Sequence, residues 1–362
     1  MRSSSASDSV GGLVVGVDSG GSGLRIALAR TGTTRTTGTD PAGAGPDAGG
    51  RVLETIASGE PVRTGPGGID AGHLLAQVLP AVEAMAGRAT GAVGRDGGDG
   101  GDEDGGRIVA VAVGAAGMAT LGERLRAELP GALERAWGVR RLALAADAVT
   151  AYAGALGQRP GAVVAGGTGL IALGTDLSDW RRADGWGHLL GDCGSGAWIG
   201  RAGLEAAMRA YDGRRGGSTA LLARAEERFG PASGLPAALY PRTDRPAVLA
   251  SFAPEVAGCA VDGDAVAAGI LERAAGHIAE AAAAVCPAGP AVAGEVALTG
   301  GLFRMGEPLL GPLRAELGVL LPEARVVDAA GDPLSGAVAI AAALARDALR
   351  LPQDPRLLQL TR

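Results

Sequence analysis

The chain has 362 residues, 47% of them hydrophobic, and a formal net charge of −6. It is long enough for two domains and apolar enough to bury cores, which excludes wholesale disorder. The acidic balance, with only four Trp, three Tyr and three Phe, excludes a general nucleic-acid or anionic-membrane binder. Lys and Asn are absent, so every basic residue is Arg. Without Lys there is no Walker A loop, no kinase strand lysine and no Schiff base. Any phosphate must be held by backbone amides, Arg, hydroxyls or a metal.

Residues 1–11 read as a loose polar tail, and Met1–Gly12 lacks the apolar core of a signal peptide. Leu13–Val17 and Leu24–Ala29 read as two strands of a hairpin around a Gly-rich turn. Residues 31–50 form a loop with a third strand nearby, and His73–Met85 has helical spacing. Gly94–Gly106 holds seven Gly and five acidic residues and reads as a disordered, solvated insertion. Ile108–Val113 is a strand, Gly114–Gly117 a turn and Gly122–Trp137 a helix. Leu142–Ala145 is a strand ending near Asp147, and Val149–Leu156 is a helix. Ala162–Ala165 and Leu170–Gly174 repeat the strand–Gly turn–strand pattern, which suggests two similar halves. Val296–Thr299 and Arg325–Val327 are further strands. Helices fill 197–211, 219–229, 264–285, 306–317 and 335–349. Strands alternating with helices give an α/β class.

Five segments carry chemistry. In Asp18-Ser19-Gly20-Gly21-Ser22-Gly23, glycines let amides point at a phosphate, and an Asp can hold Mg²⁺ through water. A plain hairpin turn explains the same residues. Gly166-Gly167-Thr168-Gly169 repeats the device. Asp184-Gly185-Trp186-Gly187 leads on through Asp192 and Ser195 into a helix. There a carboxylate suits sugar hydroxyls and Trp186 suits either a ring face or the core, while Ser195 suits an N-cap. Gly300-Gly301 after a strand allows close approach to a flat ligand, or simply makes a turn. Asp147 suits a general base on an alcohol, or a helix N-cap. Cys193, Cys259 and Cys286 are far apart in sequence and contain no metal-binding spacing, which fits a reducing cytoplasm.

Taken in order, these segments resemble the BadF/BadG/BcrA/BcrD ATPase family, especially its N-acetylglucosamine and glucosamine kinases. The most specific match is Gly185-Trp186-Gly187 with Gly191-Asp192-Cys193-Gly194-Ser195-Gly196-Ala197-Trp198-Ile199-Gly200-Arg201. The resemblance implies two RNase H-like (actin-like ATPase) domains with the ligand cleft between them. They would span 12–148 plus 337–352, and 149–336. It implies that Gly20, Gly21, Ser22 and Gly23 form one phosphate loop, and Gly167, Thr168 and Gly169 a second. Gly300 and Gly301 would lie against adenosine. Asp18 would orient hydrated Mg²⁺, and Asp147 would be the catalytic base. Gly68, Gly185, Trp186, Asp192 and Asp147 would line the sugar. Leu334–Ala345 would be a closing helix on the first domain. ATP, Mg²⁺ and an amino sugar phosphorylated at its 6-hydroxyl follow, with no nucleic-acid or membrane partner, and homodimers occur among relatives.

Departures from the family pattern fall at the sugar. Gly65-Pro66-Gly67-Gly68 replaces a segment that usually carries Asn. Asp184 stands where Gly is usual, Cys193 where Glu is usual, and Gly23 where a basic residue is common. Two alternatives stay open: a non-catalytic sugar or nucleotide sensor, and an activating ATPase of a dehydratase, which needs cysteines for a cluster bridging two subunits.

Overall fold

The computed structural model describes residues 12–20, 23–31, 50–65, 68–93, 106–287 and 294–361. The tail 1–11, residues 94–105 of the acidic insertion, and Gly21 and Ser22 of the first turn lie outside the described residues. The chain forms two compact units. One comprises Met1–Arg159, Leu177–Asp179 and Ala330–Arg362; the other comprises Pro160–Asp176 and Trp180–Ala329.

The first unit opens with β1 (Leu13–Gly20), β2 (Gly23–Arg30) and β3 (Arg51–Ser58). A two-residue hairpin, β4 (Thr64–Gly65) and β5 (Gly68–Ile69), leads into α1 (Ala71–Val93). Then come β6 (Ile108–Ala115), α2 (Met118–Leu121), α3 (Glu123–Trp137), β7 (Arg141–Ala146) and α4 (Asp147–Leu156). The second unit runs β8 (Gly161–Gly166), β9 (Leu170–Thr175), β10 (Trp180–Asp184), α5 (Gly196–Tyr211) and α6 (Thr219–Phe229). It continues through α7 (Leu235–Leu239), α8 (Arg245–Ala250), α9 (Ala253–Val261), α10 (Ala265–Val285), β11 (Glu295–Thr299), α11 (Glu307–Leu320) and β12 (Arg325–Asp328). Finally α12 (Pro333–Ala345) and β13 (Leu358–Thr361) complete the first unit.

The first sheet has the order β13-β7-β6-β1-β2-β3, the second β10-β9-β8-β11-β12. In each, the first two strands of the unit pair as an antiparallel hairpin and the third adds antiparallel at its edge. The next two strands pair parallel on the other side. The two halves therefore share one five-strand topology, and β13 adds an antiparallel edge strand to the first. This is the α/β class the alternation predicts. Strands β1 and β6 are buried along nearly their whole length, which explains their continuous apolar runs.

In the first unit α12 packs on β1, β6 and α4. The approach is close because Gly154 of α4 and Gly336 of α12 face each other. A Cβ on Gly336 would collide with the Thr150 carbonyl oxygen, and one on Gly154 with the Asp332 carbonyl. The closing helix expected over Leu334–Ala345 thus does pack on the first unit. It ends at Ala345 and not at 349, because Asp347 turns left-handed (φ 52°) and Ala348 donates back to the Ala343 carbonyl. In the second unit α10 covers β8, β9 and β10. Val164, Ala172, Ile199, Phe252, Leu271 and Ile278 belong to its core.

Two expected boundaries move for the same reason. Strand β1 continues past Asp18 to Gly20, because its pairing with β2 runs on to Gly20 opposite Gly23. Strand β6 continues through Gly114 to Ala115, because both parallel neighbours pair that far. Asp18, Ser19 and Gly20 are strand residues, not loop residues.

Candidate active site

Five of the residues singled out in sequence stand at one kind of place. Asp18 and Gly20 stand near the C-terminal end of β1, and Asp147 directly follows the C-terminal end of β7. Gly167 directly follows β8, and Gly300 directly follows β11. In α/β sheets, ligands bind beyond the carboxyl ends of parallel strands.

In the first unit Asp18 lies directly opposite Arg25 on β2. The guanidinium donates through Nε (3.1 Å) and Nη2 (2.6 Å) to Asp18 Oδ2, and through Nη1 to Asp332 Oδ2 at 2.5 Å. Asp332 is also the N-cap of α12, accepting the Ser335 amide at 2.9 Å. Burial works against the Arg25 charge, but the hydrogen bonds and charges of Asp18 and Asp332 outweigh it and raise its pKa. Burial would also raise the Asp332 pKa; the Ser335 amide and Arg25 together hold it below the usual carboxylate range. Arg25 and Asp332 escape sequence reasoning. The signal is spacing: with a two-residue turn, the position two before Gly20 faces the position two after Gly23.

Asp147 is the first residue of α4 and not its N-cap, a position that Ala146 holds. Its Oδ1 accepts the amide of Ala148 at 2.9 Å, and its carbonyl accepts the Thr150 hydroxyl at 2.9 Å. Gly68 is buried at φ 91°, facing the Leu121 carbonyl, where no Cβ fits. Gly23 (φ 133°) lies equally close to the Ser58 carbonyl, whereas Gly20 has open space around its Cα.

In the second unit the Gly167–Gly169 turn is held by backbone. Gly167 N donates to Gly169 O at 2.9 Å, Gly196 N to Gly167 O at 2.9 Å, and Ala197 N to Thr168 O at 3.0 Å. Thr168 itself is exposed. Ser195 is buried and caps α5, accepting the Trp198 amide at 3.2 Å. Gly300 (φ 103°) packs on the Gly166 backbone, so the ends of β8 and β11 sit side by side; Gly301 and Gly167 face open space.

Asp192 packs against this turn: a Cβ on Gly169 would lie 2.5 Å from Asp192 Oδ2. Asp192 Oδ1 accepts the Gly187 amide at 3.1 Å. Burial raises its pKa, and the neighbouring Asp184 charge adds to the rise; amides of Gly187 and Leu170 and the charge of His188 oppose it. Asp184 accepts the amides of Asp192 (2.6 Å) and Cys193 (2.8 Å). Burial, then Asp184, push the Cys193 thiol up, so it is a neutral side chain and not an activated nucleophile. Trp186 is 63% exposed, which removes the core reading. The Arg182 guanidinium carbon sits 4.3 Å from its ring centroid. Arg182 was missed in sequence because it lies in a short polar strand.

Among the described residues no three metal-ligating side chains gather. A divalent cation here would take its ligands from phosphate and water beside a single carboxylate, as Mg²⁺ does. In the second unit the backbone at Gly167 and Gly301 is open to close approach of a ligand. Cys259 and Cys286 are buried, Cys193 is half-buried, and none forms a disulfide. No helix among the described residues is long and apolar enough to cross a membrane.

The chain belongs to the BadF/BadG/BcrA/BcrD ATPase family, whose profile matches residues 15–341. It is 30% identical over 200 residues to an N-acetylmuramic acid/N-acetylglucosamine kinase of Clostridium acetobutylicum. That match covers 54% of this chain and 65% of the relative. Among solved structures, a Chromobacterium violaceum protein provisionally assigned as an N-acetylglucosamine kinase is 26% identical with a TM-score of 0.61. The match covers 90% of this chain and 97% of that one. A Porphyromonas gingivalis protein with the same provisional assignment, 17% identical, has a TM-score of 0.58 over 90% of this chain and 97% of its own, and shares the fold.

Proposed function

We propose that this chain is an ATP-dependent kinase that phosphorylates an amino sugar, N-acetylglucosamine or glucosamine, at its 6-hydroxyl. The observation that carries the reading is the carboxylate Asp192, half-buried against the Gly167–Gly169 turn beside exposed Trp186. A carboxylate and an aromatic face next to a Gly-rich turn suit a sugar held close to phosphate. The identity to the Clostridium acetobutylicum kinase supports the substrate class.

ATP with Mg²⁺ supplies the phosphoryl group. Asp147 takes the hydroxyl proton as the sugar oxygen bonds to the γ-phosphorus and the bond to the ADP oxygen breaks. Such a base contributes roughly 10²–10⁴-fold. Thr168 and the amides of its turn hold phosphate oxygens, with no Lys in the chain to do so. Asp18 would help hold the hydrated cation, and Arg25 fixes its carboxylate. Asp192 and Trp186 bind the sugar.

A non-catalytic sensor on the same fold draws on one observation: the Arg25 charge already sits on Asp18, where a cation's charge would go. A dehydratase-activating role finds no fully exposed thiol for a shared cluster. ADP release with Mg-ATP and glucosamine, N-acetylglucosamine, N-acetylmuramic acid, mannosamine, glucose or no sugar separates the readings. Amino-sugar-dependent ADP formation supports the kinase. Thermal stabilisation by ATP with no turnover on any sugar supports the sensor.

A further inference from the structure

We propose that Asp184 is a positioning residue whose carboxylate clamps the Asp192–Cys193 backbone and so fixes Asp192 for sugar binding. The inference rests on the reading of Asp192 as a sugar-binding carboxylate.

Asp184 is the last residue of β10, paired with Ile171 of β9. It has a left-handed backbone (φ 60°), and so does Asp192 (φ 53°). Such conformations are unfavourable for a side-chain-bearing residue and persist only where surrounding contacts impose them. Here the contacts are explicit. Oδ1 of Asp184 accepts the Asp192 amide at 2.6 Å and Oδ2 accepts the Cys193 amide at 2.8 Å. Each oxygen thus holds one of two successive amides. Gly191 passes beneath the clamp, where a Cβ would strike both Asp184 Oδ1 and Trp186.

The strand that carries Asp184 also carries Arg182. Its Nε donates to the Asp184 carbonyl at 3.0 Å and its Nη2 to the Gly185 carbonyl at 2.5 Å. The same guanidinium covers the Trp186 ring. One rigid edge strand thereby sets both sugar-facing groups, Trp186 through Arg182 and Asp192 through Asp184. With its backbone pinned, Asp192 reaches the Gly187 amide on one oxygen and lies against Gly169 with the other. The repulsion between the Asp184 and Asp192 carboxylates is offset by the backbone amides that each accepts. The amides held by Asp184, at two successive positions, set where the Asp192 side chain leaves the backbone.

The test compares full-length wild type with Asp184→Gly and Asp184→Asn. Gly accepts the left-handed backbone without strain, so it removes the carboxylate alone. Asn tolerates the same backbone and keeps one acceptor oxygen. Hydrogen exchange of the 187–196 segment is measured alongside steady-state kinetics with N-acetylglucosamine and Mg-ATP. Asp184→Gly is expected to speed exchange at Asp192 and Cys193, and to raise the sugar KM by about tenfold or more with a smaller change in the KM for Mg-ATP. Asp184→Asn is expected to fall between. Wild-type exchange and wild-type sugar KM in Asp184→Gly would overturn the clamp. If wild type turns over no amino sugar, the substrate reading fails, and the exchange result alone still decides the clamp. If Asp184→Gly does not fold, Asp184→Asn carries the same two readouts.

Discussion

The two hairpins β1–β2 and β8–β9 occupy equivalent places in two sheets of the same topology, yet different contacts surround their ends. The first hairpin, β1–β2, carries charge bridges near its end: Arg25 spans Asp18 across the hairpin and Asp332 at the start of α12. The second, between β8 and β9, is braced by neutral backbone: the first amides of α5 donate to the carbonyls of Gly167 and Thr168. Charge bridges among half-exposed groups weaken with salt, whereas backbone hydrogen bonds barely respond. A shared fold therefore does not imply shared sensitivity. The contacts beside the first hairpin answer to ionic conditions, and those of the second to backbone packing.

The largest expected effect touches neither turn and sets the scale for both. Asp147→Asn should keep the fold and lower kcat by roughly 10²–10⁴-fold. More than about a tenth of wild-type kcat would remove Asp147 as the base. Next, Gly169→Ala strikes the backbone-held turn, because its Cβ would meet Asp192 Oδ2 at 2.5 Å. Overpacking of this kind costs about 1–3 kcal/mol, so the thermal midpoint should fall and the sugar KM should rise. An unchanged sugar KM would separate Asp192 from the turn.

Arg25→Gln then tests the charge bridges beside the first hairpin. It leaves Asp18 and Asp332 without their shared cation. Stability should fall by about 1 kcal/mol or less, since the groups are partly exposed, and the salt dependence of the thermal midpoint should shrink. The Mg²⁺ concentration needed for half activity should move while the sugar KM does not. If both move equally, the contrast between the hairpins fails.

The smallest effect is a pH shift. Asp192 keeps its proton to higher pH than an ordinary carboxylate, first through burial and then through Asp184. His188, also facing it, pulls the other way. Sugar binding by the ionised form should rise with pH along a limb above the ordinary carboxylate range. Because removing a like charge lowers a carboxylate's pKa, Asp184→Asn should move that limb to lower pH. A limb that stays in place would show that Asp184 does not act on Asp192 through charge.

Both hairpins and the class of the fold were legible in the sequence, because apolar runs broken by Gly clusters are a local signal. What failed to register was non-local or polar. Strand β10, Trp-Arg-Arg-Ala-Asp, is an edge strand with no apolar run, and it carries Arg182, which covers Trp186, and Asp184, which holds the Asp192 amide. Helices α7, α8 and α9 begin at or beside Pro236, Pro246 and Pro254, where proline starts a helix instead of breaking one. Strand β13 is four residues long and depends on pairing with β7, more than 200 positions earlier. Asp18 and Asp192 were visible as carboxylates near turns, but their partners Arg25, Asp332 and Asp184 depend on register and backbone twist, which composition does not encode.

The close crossing of α4 and α12 at Gly154 and Gly336 has a consequence for synthesis. Helix α12 buries Val338, Ile340 and Leu344 and covers β1 and β6, strands made more than 200 residues before it. A ribosome thus delivers all of the second unit before the first can be closed. The N-terminal sheet must wait with an apolar face uncovered, while the later unit already has its own core. Helix α12 closes a unit whose sheet is begun before the second unit, so a nascent chain halted before Pro333 should be a form that needs a chaperone.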